Sequence, residues 1–285
     1  MNSICPFQCN IHDLPQAETV ILLRQNRNTV DIALNKWEQH LAEYLSFLKE
    51  LDGAEGSGLR FGRRVVVASD IAEQFFCEKK VEMQYLHGEI ETEAKIVGTE
   101  AHGKLLEDVV QVKREELWQR IYGENPVLAL ESLFFAKSND IIVAGKPDSI
   151  LFKNGLPLVV LEHKFSKRLV AYETHHVQAM MYGLLLNKIG FDTRLLFYAI
   201  VVADPAVRSD RNFKKKVLEV INKNGPKEGI LELDNAKVYF CKYNHGEAEK
   251  DLNWAVKFWK QEREAIPTQN PNKCKTCEYF EKCQG

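Results

Sequence analysis

Three charged residues have types and spacing that suit the hydrolysis of a phosphodiester. Asp148 stands before a run of β-branched and aromatic residues, and Glu162 and Lys164 are the only full charges in the apolar run 158–165. Because side chains alternate between the two faces of a strand, Glu162 and Lys164 point to one face of the sheet. A carboxylate and an ammonium therefore share one place on a predicted strand.

A hairpin must bring Asp148 to this place. Asn154-Gly155 has the residue types of a tight β-turn between two strands. A two-residue turn would put Asp148 opposite Leu161, on the wrong face. A three-residue loop with left-handed Gly155 puts Asp148 opposite Glu162, with Cβ atoms about 5 Å apart, and this is the arrangement we expect. Two carboxylates at this distance repel each other unless a divalent cation lies between them. Hard oxygen ligands of this kind suit Mg²⁺ or Mn²⁺.

Composition indicates a globular chain that binds no membrane. Its 285 residues, 45% of them hydrophobic, are enough for one large domain with or without a small appendage. The apolar runs are too short to span a bilayer and the first residues lack the form of a signal peptide, so we expect a cytoplasmic protein. The net charge of −2 excludes a uniformly basic surface, so a nucleic-acid site would be a local patch.

The pattern of apolar residues predicts a mixed α/β order around a small sheet. Helices are predicted at residues 29–51, 69–86, 99–121, 174–188 and 247–264, and strands at residues 65–68, 193–203 and 237–243. Cys77 falls in the middle of the second helix and His102 in the first turn of the third. The basic stretch 208–216 fits a DNA contact and a solvated loop equally well.

The second stretch with chemical potential is the tail, where Cys274, Cys277 and Cys283 have the spacing C-x2-C-x5-C. Seven cysteines, an odd number in a reducing compartment, favour metal ligation over disulfides. Three thiolates need a fourth ligand, for which Cys77 and Cys241 compete. A structural zinc site is the commonest use of such cysteine pairs.

The string Pro147-Asp148, thirteen residues, then Glu162-His163-Lys164 resembles the PD-(D/E)XK nuclease superfamily. GTEAHGKLLE, which contains His102, resembles a motif of the RecB-type branch of that superfamily. Gln178 and Tyr182, which are one helical turn apart, resemble the Q-x-x-x-Y motif of the same branch.

This resemblance implies a restriction-endonuclease-like α/β core, with a small mixed sheet flanked by helices, over residues 59–285. Residues 274–285 would be an iron–sulfur module. Residues 1–58 lie outside the resemblance, and their pattern predicts a helical N-terminal extension. The implied metal ligands are His102, Asp148, Glu162 and the His163 carbonyl. Lys164 would position the water and stabilise the transition state, because lowering its pKa to near 7 would cost about 4 to 5 kcal/mol. Gln178 and Tyr182 would support the site.

The cysteine tail resembles the iron–sulfur branch of RecB-type nucleases. The implied ligands of a [4Fe-4S] cluster are Cys77, Cys274, Cys277 and Cys283, and Cys77 is preferred to Cys241 because it precedes the His102 helix. The family usually has Pro after this cysteine, whereas this chain has Glu78. That difference leaves the path of the helix open.

The function implied is a Mg²⁺- or Mn²⁺-dependent DNA exonuclease, acting on single-stranded DNA or single-stranded ends. The similarity to the CRISPR-associated exonuclease family also implies CRISPR integrase proteins as partners, and exonuclease V-like enzymes share the same motifs. One alternative is a DNA-repair or structure-specific nuclease with no CRISPR role. The other is a non-catalytic DNA-binding protein with a zinc-stabilised tail.

Overall fold

Two β-sheets form the centre of the computed structural model, which describes residues 17–22, 34–53, 58–90, 110–210 and 212–284. The strands of this part are β1 (Ala17–Leu22), β2 (Val65–Val67), β3 (Val110–Lys113), β4 (Val127–Leu130), β5 (Phe134–Ser138), β6 (Ile141–Gly145), β7 (Ser149–Lys153), β8 (Leu156–Phe165), β9 (Phe197–Ala203), β10 (Gly229–Leu233) and β11 (Ala236–Lys242). The large sheet has the order β10-β11-β9-β8-β7-β4-β1-β3, and the small sheet has the order β2-β6-β5.

Helices cover these sheets. Within the same described residues they are α1 (Leu34–Gly53), α2 (Ala68–Phe76), α3 (Glu78–His87), α4 (Arg114–Ile121), α5 (Glu173–Lys188), α6 (Phe213–Asn224), α7 (His245–Trp259), α8 (Pro271–Lys275) and α9 (Phe280–Gln284). Mixed sheets flanked by helices confirm the predicted α/β class, although the sheets are more extensive than the small sheet that we expected.

Strand β8 lies inside the large sheet, antiparallel to β7 and parallel to β9. Its two faces pack into different hydrophobic clusters: Val160 joins the cluster beneath α5, while Val159 and Leu161 join the cluster beneath α6. Burial on both faces explains why this strand is an almost continuous apolar run. A charged residue in such a strand must have partners.

Helix α5 supplies those partners, because it packs against β8 and β9 and against α2 and the small sheet. Its middle is buried on several sides, from Val177 to Leu186. The helix ends just before Gly190, whose φ of +104° suits glycine. The predicted helix and its closing glycine are confirmed.

Several predicted elements differ from the structure. The helix predicted at 69–86 is broken at Cys77, whose extended backbone separates α2 from α3. The helix predicted at 99–121 is wrong at residues 110–113, which form β3, and is confirmed at residues 114–121, which form α4. His102 lies outside the described residues.

Residues before 58 contribute to the large sheet. Strand β1 pairs with both β3 and β4, which the sequence pattern did not predict, and the predicted amphipathic helix is present as α1. The division of the chain at residue 58 stays a prediction.

Candidate active site

Asp148 and Glu162 are adjacent across two neighbouring strands. Ser149 pairs with Leu161, so the next position places Asp148 beside Glu162. The expected three-residue loop is wrong: Lys153 pairs with Leu156 around a two-residue turn. The register shifts instead between Leu151 and Phe152, where β8 has one extra residue. The bulge, rather than the turn, aligns the two carboxylates.

Backbone groups hold Asp148 in place. The peptide N–H of His163 donates to Asp148 Oδ2 over 2.6 Å, and the N–H of Glu131 donates to the Asp148 carbonyl over 3.1 Å. The ring of His163 is also close to this carboxylate, with its Nδ1 3.5 Å from Asp148 Oδ2. The carboxylate therefore has a fixed position before any metal binds.

Glu162 begins a chain of polar contacts that runs from β8 to α5. Its Oε1 lies 2.8 Å from Lys164 Nζ, which donates to Gln178 Oε1 over 2.9 Å. The amide of Gln178 donates to the hydroxyl of Tyr182 over 2.7 Å. Glu162 and Tyr182 are both buried. The helical spacing of Gln178 and Tyr182 thus places both on the side of α5 that faces Lys164.

The electrostatics of this chain keep Lys164 protonated. Burial acts to lower the pKa of Lys164, but the ion pair and hydrogen bond with Glu162, assisted by Asp148, outweigh burial and raise the pKa above its ordinary value. Burial raises the pKa of Tyr182 well above its ordinary value, and the charges of Glu162 and Asp148 add to this effect. Both groups are hydrogen-bond donors at neutral pH.

The donor atoms at this place suit a hard divalent cation. Asp148 and Glu162 offer carboxylate oxygens, the ligands that Mg²⁺ and Mn²⁺ prefer. Among the residues that the structure describes, no three His, Cys, Asp or Glu side chains are grouped as they would be around a metal ion. His102, the expected third side-chain ligand, lies outside the residues that the structure describes.

A second candidate site is a cavity lined by four cysteines, Cys77, Cys274, Cys277 and Cys283. None of the four is in a disulfide. The backbone N–H of Thr268 donates to Cys77 Sγ over 3.4 Å. Three lysines also line the cavity, Lys79, Lys80 and Lys273. Cys241 is on β11, where it faces Tyr198 of β9, and does not line this cavity.

Two buried side chains hold the tail against α3. Glu78, which is fully buried, pairs with Arg263 and accepts the backbone N–H of Ile266 over 2.8 Å. Tyr279 donates its hydroxyl to the Gly88 carbonyl over 2.7 Å. Glu78 thus fixes the segment that leads into the tail. This role explains why the chain has a carboxylate at the position where the iron–sulfur branch usually has Pro. Sequence reasoning missed this role because the partner is 185 positions away.

His175 is another residue that the sequence did not single out. It lies one turn before Gln178 on α5, and its Nδ1 accepts the backbone N–H of Tyr172 over 3.3 Å. Burial, then the charge of Lys164, lower the pKa of His175 to about 3. The ring is therefore neutral and near the Lys164 ammonium. Its position directly before the Q-x-x-x-Y motif is the sequence signal by which it could have been identified.

Comparisons with known proteins identify the family of this chain. A stretch of 52 residues is 44% identical to Exonuclease V, mitochondrial, of Candida albicans strains WO-1 and SC5314, covering 18% of this chain and only 8% of those relatives. The solved structure titled "Crystal structure of SSO0001" covers 85% of this chain and 91% of its own, with 13% identity and a TM-score of 0.45. The PD-(D/E)XK nuclease superfamily matches residues 66–284. That match includes the strands and the helix that carry the catalytic candidates, and the chain belongs to the PD-(D/E)XK nuclease superfamily.

Proposed function

We propose that the protein is a metal-dependent DNA exonuclease that hydrolyses phosphodiester bonds at single-stranded ends. The observation that carries the proposal is the arrangement of Asp148, Glu162 and Lys164 at the open end of one hairpin. A binding protein gains nothing from two adjacent carboxylates beside an ammonium, whereas a hydrolase needs them for a metal ion and a transition state.

The metal would be held by Asp148 and Glu162, with His102 and the His163 carbonyl as further ligands. Nucleases of this superfamily typically use Mg²⁺ or Mn²⁺, and such an ion supplies an activated water and neutralises charge on the phosphate. The backbone of His163 orients the Asp148 carboxylate.

Lys164 acts as a donor, because its raised pKa keeps its proton in place. Its ammonium holds a phosphate oxygen or the attacking water in position. Gln178 aligns Lys164 by accepting from Nζ, and Tyr182 aligns Gln178 by accepting from its amide. These two residues support the reaction without performing it.

The finer features of the function rest on partial similarities. The name of the exonuclease V relatives supports action at DNA ends, but the matched stretch is a small part of their length. A CRISPR role with integrase partners, and a cytoplasmic location, are proposals that rest on the motif resemblance. Among the described residues, no helix has the length and apolarity needed to cross a bilayer.

Cys77, Cys274, Cys277 and Cys283 would hold a [4Fe-4S] cluster. The support is chemical: four free thiols line one cavity, and one sulfur accepts a backbone hydrogen bond. Lysines beside the cavity offset the negative charge of thiolate ligands. A bound cluster would tie the tail to the break between α2 and α3. Zinc at the same four thiols is the alternative.

The test of catalysis is digestion of an end-labelled single strand with Mg²⁺ or Mn²⁺. Replacing Asp148, Glu162 or Lys164 by Ala should lower turnover by about 100-fold or more, since each removes a contact to the metal or the transition state. Gln178→Ala and Tyr182→Phe should have smaller effects on kcat. DNA affinity should stay close to that of the wild type, because affinity comes mainly from phosphate contacts.

A circularised strand and an internally labelled strand serve as substrate controls. An exonuclease leaves the circle intact, whereas a structure-specific endonuclease, the second candidate, opens it. Wild-type cleavage by Glu162→Ala in a preparation free of other nucleases would overturn the assignment of the site. An inactive wild type that binds DNA would favour the non-catalytic alternative.

A further inference from the structure

The segment that leaves the catalytic strand is basic and exposed. Lys167 and Arg168 follow Lys164 by three and four positions, in the connection between β8 and α5, and both side chains are exposed. Within the described residues neither forms an ion pair. Two exposed cations on the segment that directly follows the strand of Glu162 and Lys164 offer contacts for the phosphates of a substrate.

The path of this connection is fixed by hydrogen bonds. The N–H of Ser166 donates to the Ala203 carbonyl over 2.9 Å, and Tyr239 donates its hydroxyl to the Leu169 carbonyl over 2.7 Å. Ser166 Oγ accepts the N–H of Arg168 over 3.1 Å. The cations are therefore carried on an ordered stretch of backbone.

The same connection ends in an exposed aromatic side chain. Tyr172 is 48% exposed, although large aromatic rings usually lie inside a protein. The ring forms a T-shaped contact with His175, with ring centroids 5.4 Å apart, and His175 Nδ1 also accepts the backbone N–H of Tyr172. His175 is one turn from Gln178, which binds Lys164. Tyr172 thus lies at the start of the helix that carries Gln178, the partner of Lys164.

We propose that residues 166–175 bind one strand of DNA next to the scissile phosphodiester, with Lys167 and Arg168 on backbone phosphates and Tyr172 stacked on an unpaired base. The inference rests on the proposed nuclease function and adds the means of substrate selection. An aromatic face stacks on any base, but only when the base is not paired. The segment therefore selects single-stranded ends without reading sequence.

The test measures affinity, with cleavage prevented by EDTA. Anisotropy of a labelled oligothymidylate is recorded over a salt series for the wild type and for Tyr172→Ala, Tyr172→Phe and the Lys167→Ala/Arg168→Ala double variant. Lys137→Ala is the matched charge control, because Lys137 is exposed on β5 of the other sheet. The same series is repeated with a blunt duplex.

Tyr172→Ala should weaken single-strand binding about tenfold and leave duplex binding unchanged, while Tyr172→Phe keeps the ring and the affinity. The double variant should weaken binding to both DNAs and lower the salt slope on the single strand by about 1.4, or about 0.7 for each lost phosphate contact. Lys137→Ala should behave as the wild type.

Unchanged affinity of Tyr172→Ala, or equal losses on single strand and duplex, would overturn the stacking contact. An unchanged salt slope of the double variant would overturn the phosphate contacts. Either result leaves the nuclease assignment intact, because that assignment depends on cleavage by the Asp148 and Glu162 variants. Circular dichroism and thermal melting confirm that each variant is folded.

Discussion

Lys164 illustrates how one side chain can be placed by its neighbours on two elements. Glu162 is two positions before it on the same strand, and Gln178 reaches it from α5. The carboxylate keeps the ammonium charged, while the amide fixes its direction. A lysine that holds its proton is unsuited to general-base catalysis but well suited to binding an anionic transition state.

Asp70 is a carboxyl group that the proposed catalysis does not use. It lies in the first turn of α2, where it accepts the hydroxyl of Tyr85. Burial raises the pKa of Asp70 to about 6, against the opposing effects of Tyr85 and Arg63. Because the folded pKa is above the unfolded value of 3.8, the folded state holds the proton more tightly than the unfolded state does.

The free energy of unfolding should therefore fall as pH rises from about 4 to about 6, through the ionisation of Asp70. Asp70→Asn should lack this contribution and be more stable than the wild type at neutral pH by about 1 to 3 kcal/mol. Urea unfolding of both proteins at several pH values measures the difference. A difference that does not vary with pH over this range would contradict the raised pKa.

At the scale of elements, the β7–β8 hairpin combines a regular turn with an irregular strand. Asn154 and Gly155 have φ of 53° and 77°, as in a type I′ turn. Their N–H groups donate to the carbonyls of Gly123 and Ile121 over 3.0 and 2.9 Å. The turn is thus anchored at the end of α4, and the bulge in β8 then sets the register at Asp148.

Gly155→Ala should destabilise the protein by about 1 to 3 kcal/mol. An added Cβ would lie 2.8 Å from Cε1 of Tyr122, and the positive φ would remain strained. Asn154→Gly is the control, since glycine adopts the same conformation freely. Urea unfolding with an unchanged m-value measures both variants. Equal stability of Gly155→Ala and the wild type would show that the turn can change type without cost.

At the scale of the whole molecule, the C-terminal tail is attached to the middle of the chain. Glu78, Tyr279 and Lys273 make hydrogen bonds across 188, 191 and 198 positions respectively. Removal of Glu78 would leave the charge of Arg263 partly buried without its carboxylate. The four cysteines line a cavity in the same region.

If these cysteines hold an iron–sulfur cluster, anaerobically purified protein should be brown, with a broad band at about 400 nm. Replacing Cys77, Cys274, Cys277 or Cys283 by Ser should remove the band and lower the Tm, because the cluster links the tail to α3. Cys241→Ser is the matched control and should keep both. Iron and zinc analysis accompanies the spectrum. A colourless protein that binds one zinc ion would contradict the cluster.

The local pattern determined much of the candidate active site. Alternation along β8 placed Glu162 and Lys164 on one face, helical spacing placed Gln178 and Tyr182 together, and Asn154-Gly155 indicated the hairpin. These features depend on backbone periods of two and of about 3.6 residues, which a sequence shows directly. The α/β class followed from the same periods.

Only the tertiary structure decided the rest. The bulge in β8, the break at Cys77 and the strand β1 between β3 and β4 have no local signature, because each depends on what a distant segment presents. Glu78 reads as an exposed helical residue until Arg263 and Ile266 are seen to surround it. Short-range patterns report the backbone of their own segment, whereas register, burial and ion pairing are set by partners far along the chain.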